Sequence, residues 1–253
     1  YVKFMYFIYK TILFPWLIIG AIAFLVLLKV KAPYGKFSNN SWGKTVPYKF
    51  GWILQEIISP IIFSYFFIFG DIENKSISWI FFILWNVHYF NRSVILPLQQ
   101  KKTSPPMPII IVLSAISFNI INGFLNGYWL GSLKLYDINY LTDIRFITGL
   151  FIFITGSIIN IKSDRILLKL KNKNNGYQIP NGFLYKYISC PNYFGEIIEW
   201  TGFAIMTWSF PGILFAIWTA FNLVPRSLSN HQWYQNQFID YPKKRKAIIP
   251  FVL

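Results

Sequence analysis

The chain has 253 residues, 55% of them hydrophobic and 21% aromatic, and only 13% charged. Soluble domains carry roughly 25% charged residues, so this composition excludes an ordinary water-exposed surface, and the long apolar blocks without a period of two exclude a lumen-and-lipid β-barrel. The formal net charge of +15 is read as basic loops at a cytosolic membrane face, not as a nucleic-acid surface.

Seven segments are apolar and long enough to cross a bilayer core if tilted or slightly irregular: Ile12–Val30, Trp52–Phe69, Ile77–Pro97, Pro108–Leu130, Ile144–Ile161, Tyr193–Trp208 and Pro211–Leu223. The first exceeds a signal-peptide core and lacks a small-residue cleavage site, so it is read as a retained helix. The last two are short and separated by SFPG, as in a re-entrant hairpin or tilted pair. The expected fold class is therefore all-α: a polytopic membrane protein, a seven-transmembrane-helix bundle, with residues 1–253 in a single domain.

Loop charges alternate along this scheme. The first loop carries Lys31, Lys36, Lys44 and Lys49 without an acid, and the second, GDIENKS, is net acidic. The third carries Arg92, Lys101 and Lys102, the fourth is balanced, the fifth is strongly basic, and the tail holds KKRK, Lys243 to Lys246. This places the C-terminus in the cytosol and the N-terminus on the other side; Lys3 and Lys10 dissent. The single cysteine, Cys190, excludes an internal disulfide, and with only two histidines an ordinary structural zinc site is excluded as well.

Ionisable groups inside such segments are candidate functional groups, since each must be paired, neutralised or hydrated. Glu56 is the only acid of the second segment, with Gln55 beside it, and His88 and Tyr89 lie near the end of the third. A carboxyl group in a low-dielectric pocket stays neutral because desolvation disfavours the anion. A neutral carboxyl and a phenol can both donate hydrogen bonds to a ligand carbonyl. The alternative for Glu56 is a bond to a neighbouring helix. Asn160 and Asp164 share a face at a helix end, near Arg165, Lys169 and Lys171, where they either grip a ribose and its phosphates or are solvated. Glu196 and Glu199, three apart, are either site groups or rungs of an interhelical network. His231 and Tyr234 fall on one face of an interfacial helix. There is no GxGxxG or P-loop, so a nucleotide would have to bind without a Rossmann unit.

The runs CPNYFGEIIEWTGFAIMTWS, from Cys190, and HQWYQNQFIDYPKKRKAIIPFVL, from His231 to the end, resemble the signature of the steroid 5-alpha-reductase family. Upstream, APYGK, GWILQE, VHYFNR, NGFLNGYWL, YLTDIRF and INIKSD follow that family's order, so the resemblance covers about residues 33–253. It implies a seven-helix reductase of the endoplasmic reticulum with cytosolic cofactor-binding loops, expected to act as a monomer among membrane lipids. It implies NADPH as cofactor and a 3-oxo-4-ene steroid as substrate, reduced at its 4,5 double bond. It also implies Glu56 and Tyr89 as carbonyl-binding catalytic residues. Cofactor contacts are expected from Tyr34, Trp52, Asn160, Asp164, Asn192, Glu196, Arg226 and Tyr234, and from Lys171, which stands where arginine is common. The chain departs from the pattern at Ser104, Pro105 and Gln178, in stretches that favour arginine, and at Asn230, where a histidine is expected one step before His231. These departures bear on the preference for NADPH over NADH. Glu199 has no counterpart among the cofactor contacts and is expected to serve helix packing. The competing readings are another lipid enone or enoyl reductase, acting on a long-chain enoyl-CoA or a polyprenal, a membrane methyltransferase of related fold using S-adenosylmethionine, and a non-catalytic membrane scaffold.

Overall fold

The computed structural model describes residues 2–38, 40–100, 104–173 and 176–253. Lys101 and Lys102, expected among the cytosolic charges, lie outside the described residues. Apolar runs form long helices that continue through Pro15, Pro60 and Pro225: α1 Val2–Lys29, α2 Tyr48–Ile68, α3 Ser78–Phe90, α5 Ile109–Tyr128, α6 Ile144–Lys173, α7 Pro191–Thr207 and α8 Phe210–Gln237. A π-helical turn, Asn91–Ile95, joins α3 to the short α4, Leu96–Gln99, and a second π turn, Trp129–Leu133, ends α5.

Among the described residues four helices are long and apolar enough to cross a membrane: α1, α2, α5 with its π turn, and α6. Their outward faces are apolar; on α6, Ile144, Ile147, Phe151, Ile154 and Ile158 are all exposed, at the spacing of one helical stripe. An all-α architecture with an apolar exterior is that of an integral membrane protein. The other three predicted spans also fall on helices, but each departs from a long apolar rod. α3 runs only 13 residues before its π turn, α7 has 17 and carries two glutamates, and the apolar half of α8 is diluted by Asn222 and Arg226.

Two interfaces are set by glycine. Gly149 and Gly156 on α6 face Gly202 and Gly195 on α7, and a Cβ at any of them would meet the partner's backbone. On α5, Gly123, Gly127 and Gly131 recur every fourth residue against the backbone of α2 from Ser59 to Phe67, the small-residue ladder that lets membrane helices approach closely.

The loops sort by charge between the two ends of the bundle. At one end β1, Thr45–Val46, pairs antiparallel with β2, Met107–Pro108, tying the first loop to the third. There too Ser189 N donates to Lys246 O at 2.8 Å and Arg245 Nη1 to Pro180 O at 3.2 Å, tying the fifth loop to the tail. At the other end Ile72 N donates to Gly131 O at 3.0 Å, and Tyr136 OH to Thr207 O at 2.5 Å.

Several expected boundaries are corrected. α1 begins at Val2, ten residues before the predicted start. α6 continues to Lys173, because RILLKLK is helix-forming and α7 packs alongside. Asn160 and Asp164 are therefore interior positions of a 30-residue helix, not a helix end. α8 runs unbroken to Gln237 through Pro225, so His231 and Tyr234 sit on its last turns and not on a separate interfacial helix. The SFPG hairpin is a single left-handed residue, Trp208, followed by the Ser209 cap, whose hydroxyl accepts from Gly212 N.

Candidate active site

The polar residues of α2, α3, α6 and α7 meet in one buried knot. Its centre is Arg92, placed by the π turn one helical turn beyond His88 and Tyr89. Arg92 Nη1 lies 3.2 Å from Glu196 Oε2 and Arg92 Nε 3.5 Å from Glu56 Oε2. Trp52 Nε1 donates to Arg92 O at 3.2 Å, and the guanidinium lies 5.2 Å from the Trp52 ring. Gln55 Nε2 donates to Glu56 Oε1 at 3.2 Å, while Gln55 O accepts from Asn119 on α5 at 2.7 Å. Glu56, Glu196 and Arg92 are the charged neighbours of the Tyr89 phenol. Below it, the rings of Trp85 and Trp200, each no more than 1% exposed, lie 5.4 and 5.9 Å from the Tyr89 ring and exclude water.

The α6–α7 seam continues the knot. Asn192 Nδ2 donates to Asp164 Oδ1 at 2.9 Å, and Asn160 Nδ2 to Asn192 O at 3.0 Å and Glu196 Oε2 at 3.5 Å. Glu199 Oε1 bonds His88 Nδ1 at 2.9 Å and accepts from Ser157 Oγ at 2.6 Å. Glu199 thus joins α7 to α3 and α6, in line with the packing role expected of it. Glu196 has Arg92 and Asn160 as neighbours.

Above the knot opens a cavity of about 560 Å³ at the basic end of the bundle, within the size range of cofactor pockets. Of the nine expected cofactor residues, seven line it: Tyr34, Trp52, Asp164, Lys171, Asn192, Arg226 and Tyr234. Asn160 and Glu196 do not, and neither do Glu56 and Tyr89. All four sit in or beside the knot, whose Arg92 does line the cavity. Sequence reasoning counted Arg92 only as a loop charge. The signal was available, since Arg92 falls three and four residues after Tyr89 and His88 in VHYFNR, on their helical face.

The cavity is electropositive. Among the described residues Lys31, Lys36, Lys49, Arg92, Lys171 and Arg226 line it against one acid, Asp164. Arg226 lies 4.3 Å from the ring of Tyr34 and 5.4 Å from that of Tyr193. Lys36 lies 4.3 and 4.1 Å from the rings of Trp233 and Tyr234, and burial pulls its ammonium down to about 8. Lys171 donates to Ser104 Oγ and lies 5.4 Å from the Tyr48 ring. Cations on aromatic faces fit a polyanionic ligand with flat rings. The departures Ser104, Pro105, Gln178 and Asn230 all line this cavity. His231 does not take over from Asn230. Its Nδ1 bonds Ser189 Oγ at 2.6 Å, and burial, then Arg245 and Lys246, hold its pKa below the usual imidazole range. Among the described residues no group of three or more His, Cys, Asp or Glu is placed to hold a metal.

A family model described as 3-oxo-5-alpha-steroid 4-dehydrogenase matches residues 105–253. The chain is 43% identical over 237 residues to steroid 5-alpha-reductase DET2 of Arabidopsis thaliana, covering 90% of each protein. It is 36% identical over 244 residues to 3-oxo-5-alpha-steroid 4-dehydrogenase 1 of Rattus norvegicus, covering 92% of each. The human protein of the same name is 35% identical over 237 residues, 92% of this chain and 91% of that one. The chain belongs to the steroid 5-alpha-reductase family.

Proposed function

We propose that this chain reduces the 4,5 double bond of 3-oxo-4-ene steroids, with NADPH held in the basic cavity and the 3-oxo group held by Glu56 and Tyr89. The observation that carries the proposal is the convergence of Glu56 and Tyr89 on Arg92, at the foot of a cavity with six cations and one acid. Tyr34, Trp52 and Tyr234 offer ring faces, and Lys36, Lys171 and Arg226 offer charge for phosphates. When bound there, the reduced nicotinamide supplies the hydride for C5 of the steroid.

The protein's own contribution is placement and electrostatics. Tyr89 and Glu56 donate hydrogen bonds to the 3-oxo group, drawing electron density from the conjugated β carbon. The same two donors hold the enolate charge that grows on oxygen, acting strongly because Trp85 and Trp200 exclude water, until a proton delivered to C4 completes the reduction. Electroneutrality supports a proton on the carboxyl cluster. One guanidinium between the carboxyls of Glu56 and Glu196 balances one negative charge, and an uncompensated second charge in this interior is costly. Arg92 thus fixes both carboxyls between cavity and phenol.

The setting is also part of the reading. All seven long helical segments cross the membrane of the endoplasmic reticulum, and the basic end faces the cytosol. The gathering of the basic loops at the cavity end supports this topology. Testosterone and progesterone, with loss of NADPH absorbance as readout, test the activity. Glu56→Gln keeps a donor and retains partial rate. Glu56→Leu loses at least two orders of magnitude, since removing one oxyanion donor costs about 2.7–4 kcal/mol. Wild-type turnover by Glu56→Leu would remove the catalytic assignment.

A further inference from the structure

The exposed stripe of α6 changes character within one turn. Below it is apolar through Ile158, and four residues later begins a basic run, Lys162, Arg165 and Lys169, all exposed. One turn is about 5.4 Å, so the stripe marks a sharp boundary between hydrocarbon and headgroups. The basic run does not end on α6. Lys162 Nζ lies 5.7 Å from the ring of Phe183, whose short 3₁₀ turn, Phe183–Lys186, carries the exposed Lys186. Lys186 Nζ lies 5.7 Å from the ring of Tyr187, and that ring lies 5.5 Å from Phe251 of the C-terminal segment. Phe183, Tyr187 and Phe251 are 41%, 38% and 78% exposed.

Two conditions of a headgroup site are met together. None of the described carboxylates lies within ion-pair distance of Lys162, Arg165 or Lys186, so the cations are free to take an anion from outside. The aromatic rings beside them project outward, where amphipathic and aromatic side chains seat at the level of the headgroups. The patch lies outside the cofactor cavity, whose lining includes none of these residues.

We propose that Lys162, Arg165, Phe183, Lys186, Tyr187 and Phe251 form a binding surface for an anionic phospholipid. The cations take the phosphate and acidic headgroup, and the exposed stripe through Ile158 takes the acyl chain. The lipid anchors the loop before α7, and with it the C-terminal segment, to the membrane surface.

The test uses the full chain in nanodiscs of phosphatidylcholine with or without phosphatidylserine. Retained lipid is read by native mass spectrometry, and contact is mapped with a photoactivatable phosphatidylserine. Wild type retains phosphatidylserine selectively, and crosslinks fall within residues 162–187 and on Phe251. The triple variant K162Q/R165Q/K186Q loses this selectivity by about fivefold per cation, on the order of a hundredfold in all. The charge-keeping variant K162R/K186R preserves it, and so does K134Q at the opposite end. Equal retention of the two lipids by wild type, crosslinks spread evenly over both ends of the bundle, or undiminished selectivity in a folded triple variant would each overturn the proposal.

Discussion

Arg92 is the residue whose replacement tests the site most severely. Its guanidinium faces two carboxyls at 3.2 and 3.5 Å, with the arginine side chain 15% exposed and each carboxyl side chain 11% exposed. Breaking a buried pair from one side costs about 3–5 kcal/mol, because the remaining charge has no partner. Arg92→Met strands the negative charge that the two carboxyls share and is expected within that range. Adding Glu196→Gln to Arg92→Met removes one stranded carboxyl, so the double variant recovers part of the loss, which a double-mutant cycle measures as coupling. Arg92→Lys keeps the charge but not the planar fork, and an ammonium does not span both carboxyls as a guanidinium does. It is expected between wild type and Arg92→Met. Thermal unfolding in detergent gives the stability series, and NADPH-dependent enone reduction gives the rates. The rate of Arg92→Met falls by about two orders of magnitude or more if the oxygen of the substrate loses a correctly placed donor. An Arg92→Met protein with unchanged melting temperature and unchanged turnover would refute both the ion-pair reasoning and the positioning role.

Three further outcomes are expected. The Lys36 ammonium, lowered by burial from its ordinary 10.5 to about 8, is charged below that pH and neutral above it. Dinucleotide affinity therefore holds below about 8 and falls as pH rises through it, whereas folding stability rises from there to 10.5 as a buried charge is relieved. Titration calorimetry against pH reads the first effect, and Lys36→Met abolishes both. Gly156→Leu drives a side chain into the backbone of α7 at Glu199 and costs at least about 1–3 kcal/mol of stability, read as a lower melting temperature. Glu199→Leu removes the acceptor of His88 and Ser157 and costs about 1–3 kcal/mol for each group left unsatisfied. Glu199→Gln restores melting temperature and turnover together if Glu199 serves packing; stability restored without turnover would show that its role is not packing alone.

The apolar blocks made the helices legible, because burial in lipid demands long runs in which backbone groups pair internally. Helix ends were less legible, and α6 shows why. Hydropathy falls at Lys162, so the apolar run stops at Ile161, but the helix persists to Lys173. What extends it is tertiary: glycines at 149, 156, 195 and 202 bring α6 and α7 into backbone contact, and Asn160 and Asp164 bond across that seam to Asn192. A residue that reads as a helix-end polar group is thereby an interior one. The same override joins the apolar start of α8 to its polar last turns.

The site divides along the same line. An acid in an apolar segment, such as Glu56, has a local reason to be noticed, whereas the cofactor contacts rest on the family resemblance, and seven of those nine line one cavity. Arg92 is easily passed over despite its spacing from His88 and Tyr89, because an arginine after an apolar run resembles any loop cation obeying the charge rule. The helical winding continues through the π turn Asn91–Ile95, so Arg92 stays on the face of His88 and Tyr89. Such turns occur frequently at functional sites. Here Arg92 reaches both an α2 carboxyl and an α7 carboxyl while still lining the cavity. A deletion of Ser93 rotates Leu96 and Pro97 by about 100° relative to Tyr89 and Arg92 and disturbs the cavity wall that both residues line, which NADPH titration of the deletion variant reads as weakened binding.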